Sequence, residues 1–442
     1  MNLNRRQFLK RTSGAAAALS AVPALGADVF GRYRTALVGT GWWGMNILGE
    51  AIASKRAKVV ALCDVDDAQL KPATDKVAQL TGARPRTYRD YQELLDLERP
   101  EIVIVATPDH WHPLITIAAV TAGAHVYVEK PIGHTINEGR AMVAAARRYG
   151  RTVQVGLHRR VSPHNISAMN FLRSGKAGKI GFVRAFVMYD GLRRPEQGKP
   201  NEAAPKTLDW DRWCGPAPQR PYNKLIHPRG FRQFLDYANG TLGDWGVHWM
   251  DQILWWSEER WLRRVFSSGG RPISGPGVNL PDVQTTDAPE AQSVTFEFET
   301  FTAVWEHRLF AGNLTEKGEN VGCYFHGTEG TLHLGWLDGW KFYPVDRNQP
   351  VIEEPAKLHQ PDNQNIKELW ADFISAIEQN RLPVCDIESG HRSTTMSLLG
   401  MLSLKLGRSV LWDGQSEAIK GDAFANTLLR RDYRPGYDYP WV

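Results

Sequence analysis

Three glycines, Gly39, Gly41 and Gly44 in R-T-A-L-V-G-T-G-W-W-G, stand at G-x-G-x-x-G spacing directly after an apolar run. That pattern is built to cradle phosphate. The first glycine permits a tight turn out of a strand, the second lets backbone approach a pyrophosphate, and the third lets the next helix pack close on the strand. Amides at the start of that helix then face the phosphates, where the helix dipole favours negative charge. A second apolar run, Lys58 to Leu62, ends in Cys63-Asp64. There an acidic side chain can accept hydrogen bonds from ribose hydroxyls and repel a 2′-phosphate. The expected ligand is NAD rather than NADP.

Three further motifs carry groups able to do chemistry. Ala106-Thr107-Pro108-Asp109-His110-Trp111-His112 and Val128-Glu129-Lys130-Pro131 each follow a predicted strand. In an open α/β sheet the C-terminal ends of the strands are where ligands lie. The third is Gly240-Thr241-Leu242-Gly243-Asp244-Trp245-Gly246-Val247-His248-Trp249-Met250-Asp251. If helical throughout, it sets Asp244 and His248 as i, i+4 neighbours, with Asp251 one turn further on the same face. Each group also has a structural reading. Lys130 can be a solvated strand-end lysine, His248 a core histidine beside Trp245 and Trp249, and Asp244 a capping partner of Thr241. His110, His112 and His125 offer H-x-H but no accompanying carboxylate cluster, so no metal site is expected.

The elements that must position these groups follow from periodicity. Strand and helix patterns alternate up to the strand Thr152 to Val155, with helices read over Leu114 to Ala122 and Ile136 to Tyr149 and strands over Glu101 to Ala106 and His125 to Val128. Such alternation, with strands apolar on both faces, predicts an α/β fold with a parallel sheet covered by helices on both sides. From about Leu157 the texture changes to long Pro- and Gly-rich connections and strands without crossover helices: Phe182 to Met188, Ser293 to Phe298, Thr302 to Arg308 and Gly330 to Leu334. A second, α+β unit with a mainly antiparallel open sheet is expected, closed by helices over Asn365 to Gln379 and Gly390 to Leu406. The expected division is 1–27, 32–156 and 157–442.

At G-T-G-W-W-G, T-P-D-H-W-H, V-E-K-P and the D-x-x-x-H of Asp244 and His248, the chain resembles the Gfo/Idh/MocA oxidoreductases. It also looks like their exported subgroup through W-D-R-W-C-G-P-A-P and D-Y-A-N-G-T-L-G-D-W-G-V-H. The resemblance implies NAD-dependent hydride transfer with a carbohydrate or cyclitol alcohol. In it Lys130 hydrogen-bonds the reacting hydroxyl, His248 takes its proton, and Asp244 orients the histidine and the substrate. It further implies that Thr107 and Pro108 line the nicotinamide pocket; Trp42, Trp43, His112, Glu129 and Lys130 complete the expected cofactor contacts. Arg160 and Arg232 are plausible hydroxyl ligands, and His158 stands where many relatives carry glutamine. One or two of the 16 tryptophans are expected at the substrate. A glycoside hydrolase using NAD transiently is the alternative, set second because a G-Y-Y-x-N-W-type run is absent; a non-catalytic sugar-binding protein is the third.

Asn4-Arg5-Arg6-Gln7-Phe8-Leu9-Lys10, the small apolar run Gly14 to Val22, and Ala24-Leu25-Gly26-Ala27 read as a twin-arginine export signal, too short for a membrane span. A periplasmic protein, cleaved after Gly26 or Ala27, is expected. Losing the four basic residues Arg5, Arg6, Lys10 and Arg11 takes the net charge from +5 to about +1. The charge is then no argument for nucleic acid. Cys63, Cys214, Cys323 and Cys385 are too scattered to indicate a disulfide. An open sheet would also offer a face for a homo-oligomer.

Overall fold

The computed structural model describes residues 32–258, 261–359 and 364–440. The expected leader lies outside them. The first sheet contains β1 (Tyr33–Val38), β2 (Ala57–Cys63), β3 (Arg86–Tyr88), β4 (Ile102–Val105), β5 (His125–Val128) and β6 (Val153–Val155). They pair in parallel in the order β3-β2-β1-β4-β5-β6. This is the doubly wound order, with its switch point between β1 and β4, where the chain leaves a crevice at the strand ends. Strands such as Ile-Val-Ile-Val in β4 are fully buried because helices cover both faces.

The turn from β1 into the helix Trp42–Ala53 shows why glycine is needed there. Gly39 has φ +93°, and a Cβ on it would lie 2.6 Å from the backbone of Ala106. A Cβ on Gly44 would come within 2.1 Å of the Gly39 carbonyl oxygen, whereas one on Gly41 would meet nothing within 4 Å. Gly39 and Gly44 therefore serve the close crossing of chain on chain, and Gly41 leaves open space beside the crevice.

The second sheet has ten strands. In chain order they are β7 (Ile180–Met188), β8 (Arg264–Gly270), β9 (Ala291–Glu297), β10 (Thr302–Arg308), β11 (Val321–Gly327), β12 (Gly330–Gly335), β13 (Trp340–Pro344), β14 (Ile352–Glu354), β15 (Val410–Asp413) and β16 (Ala418–Ile419). Across the sheet they run β14-β13-β12-β11-β7-β10-β9-β8-β15-β16. All pairs are antiparallel except β7 with β10. One face packs on the helices Val247–Ser257 and Ile387–Leu406, around fully buried Trp249, Trp305, Phe296 and Phe325. The helix Ile366–Glu378 instead buries Leu369, Trp370 and Phe373 in the core of the first sheet, and Cys385 and Ile387 follow it there. The chain thus returns to its first unit near its end. All four cysteines are buried and free.

Gly44→Ala should destabilise the fold by about 1–3 kcal/mol, because the Gly39 carbonyl that the new methyl would meet is backbone and cannot yield. Gly41→Ala should leave the melting temperature unchanged. Thermal melts of the two variants check this, and equal losses would contradict it.

Candidate active site

A cleft of about 760 Å³ runs from the glycine loop to the second sheet. Along it lie Gly39, Gly41, Trp42, Trp43, Asp64, Thr107, Pro108, His112, Glu129, Lys130, His158, Arg232, Asp244 and His248, so the structure gathers most of the residues picked out by sequence. Gly44 acts from behind, packing the helix onto the loop.

At one end, the Asp64 carboxylate accepts from the Thr40 amide (2.7 Å) and hydroxyl (2.9 Å) through Oδ2, and from the Asp66 amide (3.0 Å) through Oδ1. Burial pushes this carboxyl up, and those three donors counter it. Trp42 is exposed at the rim, with the Arg229 guanidinium 5.2 Å from its ring centre. His112 sits between the carbonyls of Pro131 (2.7 Å) and Thr107 (2.8 Å), one of which receives its single N–H, and so ties the two strand-end motifs together. Burial holds this ring near a pKa of about 4, hence neutral. His110 contacts the Trp213 carbonyl (2.9 Å) and His125 accepts from the Thr152 amide (3.0 Å), so these histidines serve the backbone. Among the described residues no group of three or more His, Cys, Asp and Glu could hold a metal ion.

At the other end, Lys130 Nζ donates to Asp244 Oδ1 at 2.7 Å and to the Asp244 backbone carbonyl at 2.9 Å. Arg232 Nε lies 3.3 Å from the same Oδ1. Burial alone would raise the Asp244 carboxyl, but the two cations hold it down at about 2. Asp244 therefore stays anionic at neutral pH. His248 is buried, its Nδ1 has no hydrogen-bond partner among the described residues, and its ring centre is 5.2 Å from that of His158. Burial, then the charges of Lys130 and Arg159, keep it well below the ordinary histidine range. It is a neutral imidazole, as a proton acceptor must be.

Two expectations change. Asp244 makes its bonds to Lys130 and Arg232, and no hydrogen bond joins it to His248. The reason is local: Leu242–Gly246 winds as a π-helix before the α-helix Val247–Ser257 begins, which breaks the i, i+4 register. Thr241 is itself helical and makes no cap; its hydroxyl accepts from Gln233. Arg160 does not reach the cleft. Its guanidinium forms a two-pronged pair with Asp251, both contacts 2.8 Å, and Ser393 donates to the same carboxylate at 2.9 Å. A buried carboxylate demands such a partner, and nothing in the sequence around either residue reveals the other.

Other groups at the cleft went unassigned in the sequence: Asp109, Trp336 and Tyr437. Asp109 sat inside a motif already noted, but nothing in the sequence marks it as buried. Burial raises its carboxyl to about 7, against the pull of Arg232 and Lys130.

The cleft suits a dinucleotide. The helix Trp42–Ala53 begins at Gly41 with no side-chain cap, leaving its first amides for a ligand, and Gly41 has no Cβ to obstruct one. Further along, Thr107 Oγ1 and Glu129 Oε1 are buried polar atoms without hydrogen-bond partners among the described residues. Residues 33–157 match the model of the oxidoreductase family, NAD-binding Rossmann fold, and residues 181–259 match its C-terminal alpha/beta domain. The chain belongs to the Gfo/Idh/MocA oxidoreductase family. Its Rossmann unit binds NAD.

Among curated relatives, a glycosyl hydrolase family 109 protein of Stenotrophomonas maltophilia is 32% identical over 48% of this chain and 50% of that protein. A D-apiose dehydrogenase of Paraburkholderia graminis is 32% identical over 36% of this chain and 43% of that one. The chain spans about half the length, or less, of these relatives. Among solved structures, an oxidoreductase domain protein from Kribbella flavida has a TM-score of 0.67 at 21% identity, covering 86% of this chain and 99% of that one. A levoglucosan dehydrogenase solved with NADH and levoglucosan has a TM-score of 0.66 at 18% identity, with the same coverage, 86% and 99%. These two likenesses are of fold.

Two outcomes follow from the electrostatics. NAD should bind more tightly than NADP, and Asp64→Ala should narrow the gap; calorimetry on cofactor-stripped protein checks this, and equal binding of both by the unmutated chain would contradict it. The second concerns Asp109. Folded, it holds its proton up to about 7; unfolded, it loses it near the ordinary 3.8, so its ionisation costs stability as pH rises between those values. Asp109→Asn should therefore stabilise the protein at pH 8 by up to about 4 kcal/mol and hardly at all at pH 4. Melts at both pH values decide; a gain independent of pH would contradict the burial of an ionising carboxyl.

Proposed function

We propose that this protein is an exported oxidoreductase that moves a hydride between a carbohydrate or cyclitol secondary alcohol and NAD, keeping the cofactor between turnovers. The observation that carries the reading is the meeting of Lys130, Asp244 and His248 at one end of a cleft whose other end is the glycine loop. Oxidising an alcohol removes a hydride from carbon and a proton from oxygen. Bound NAD supplies the hydride acceptor. The proton falls to the protein. His248, held neutral, accepts it, while Lys130 donates a hydrogen bond to the oxygen as negative charge develops there. Asp244 fixes the lysine by two contacts and leaves its third N–H for substrate.

Retention is supported by how the second unit closes over the cofactor end. The Asp67 amide donates to the Thr207 carbonyl (3.0 Å) and the Asp209 amide to the Val65 carbonyl (2.9 Å), flanking Asp64. Tyr437 packs edge-on against Trp111, 5.6 Å between ring centres. Export to the periplasm is supported by the twin-arginine sequence and the apolar run after it. A homo-oligomer is supported by the exposed aromatics Phe182 on β7 and Phe266 on β8, which share the outer face of the second sheet. No helix among the described residues is long and apolar enough to cross a membrane.

The second reading, NAD-dependent glycoside hydrolysis, is favoured by the relatives named as glycosyl hydrolases and by Asp109, a cleft carboxyl able to hold a proton for a leaving group. Assays with aryl glycosides separate the two. Hydrolysis releases the phenol without net NADH; dehydrogenation changes nicotinamide absorbance without phenol.

Lys130→Ala and His248→Ala should each cut turnover by roughly 10²–10⁴ while leaving NAD affinity nearly intact. If both act on one proton, the double variant should be little worse than the worse single one. Single-turnover nicotinamide absorbance is the measurement. Near-unaltered rates in His248→Ala would make the histidine structural and place the proton acceptor elsewhere.

A further inference from the structure

Arg159 is only 2% exposed, yet its Nε, Nη1 and Nη2 have no hydrogen-bond partner among the described residues. Buried charges are normally paired, so this one needs a reason. Its guanidinium carbon lies 3.8 Å from the centre of the Trp336 ring, a close seat on an aromatic face. The Trp336 amide in turn donates to Glu319 Oε2 at 3.1 Å. Trp336 is thus gripped twice, through its backbone and through its indole.

The gripped indole lines the cleft at its chemical end. Its ring centre is 5.0 Å from that of Trp245, 5.2 Å from His248 and 5.8 Å from His158. Nδ1 of both histidines is buried without a hydrogen-bond partner among the described residues. An aromatic wall beside unfilled polar atoms is what a pyranose ring requires, since it has an apolar C–H face and a rim of hydroxyls.

We propose that Trp336 is the stacking wall of a pyranose subsite next to His248, and that Arg159, seated behind the indole, is the positioning residue that fixes it. The proposal rests on the carbohydrate reading above and narrows it to closed rings. An acyclic polyol offers the same hydroxyls without the flat face, so the wall should favour the ring form.

The test uses the full, NAD-loaded protein and calorimetry with the methyl pyranosides of glucose, galactose, mannose and N-acetylglucosamine, against acyclic glucitol. At least one pyranoside should bind, more tightly than glucitol. Trp336→Ala should weaken that pyranoside about tenfold and leave glucitol and NAD nearly unchanged. Trp336→Phe, which keeps a smaller face, should fall between. Arg159→Met should follow Trp336→Ala in direction, raising KM with little change in kcat, and Arg159→Lys should restore part of the loss. If the Arg159 variants do not fold, the two Trp336 variants still decide the wall. Equal pyranoside binding by Trp336→Ala and the unmutated protein overturns the subsite alone. Failure of every pyranoside to bind the unmutated protein overturns the subsite and the carbohydrate reading together.

Discussion

The Lys130 ammonium donates to both the carboxylate and the backbone carbonyl of Asp244, and these two bonds join the rim of one sheet to the π turn beneath the other. Everything chemical in the cleft depends on that join. It sets the distance between the glycine loop and His248, because Lys130 lies two residues past the end of β5 and His248 two past the π turn. It also sets charge. Taking either partner away would leave the other charged, mostly buried and short of its main contact, a costly state. Arg232 at 3.3 Å from the same carboxylate oxygen spreads the negative charge over two cations without replacing the lysine.

Around this pair the cleft sorts its titratable groups by burial. Asp244, held by cations, stays anionic. Asp109 and Glu129, buried with weaker compensation, are raised to about 7. His112 and His248 are kept neutral. The result is a site near electrical balance that contains a free base, a fixed donor and two carboxyls able to carry protons at physiological pH. Groups whose environments push their proton affinities apart are how one cleft can host both an acid and a base.

The sequence disclosed the first sheet except β3, whose short R-T-Y carries no apolar run. Strands buried on both faces read as unbroken apolar runs, and the glycine loop has a mechanism for each glycine. Strands β9, β10 and β12 were legible within about two residues, through alternation of apolar and polar side chains. Strands β8 (R-V-F-S-S-G-G) and β11 (V-G-C-Y-F-H-G) were not, because glycines and polar residues interrupt the pattern while tertiary pairing supplies the order. The site was legible as a set of residues but not as a set of partners. Arg160 and Asp251 stand 91 residues apart in the sequence, and only the fold shows that each satisfies the other. A π turn leaves no periodic trace, so the bond expected between Asp244 and His248 went to Lys130 instead. Trp336 stands beyond the end of a strand in a hairpin that carries no motif, and nothing in its surroundings predicts an arginine behind it.

In the proposed reaction, Lys130 and His248 share one substrate oxygen at the point where the two units meet. A crystal structure of the NAD-loaded protein with a bound sugar tests it most directly. A single sugar hydroxyl is expected within hydrogen-bonding distance of both Lys130 Nζ and a His248 ring nitrogen, with Asp244 still holding the lysine. A sugar bound elsewhere in the cleft, or one whose reacting hydroxyl meets neither residue, would contradict it.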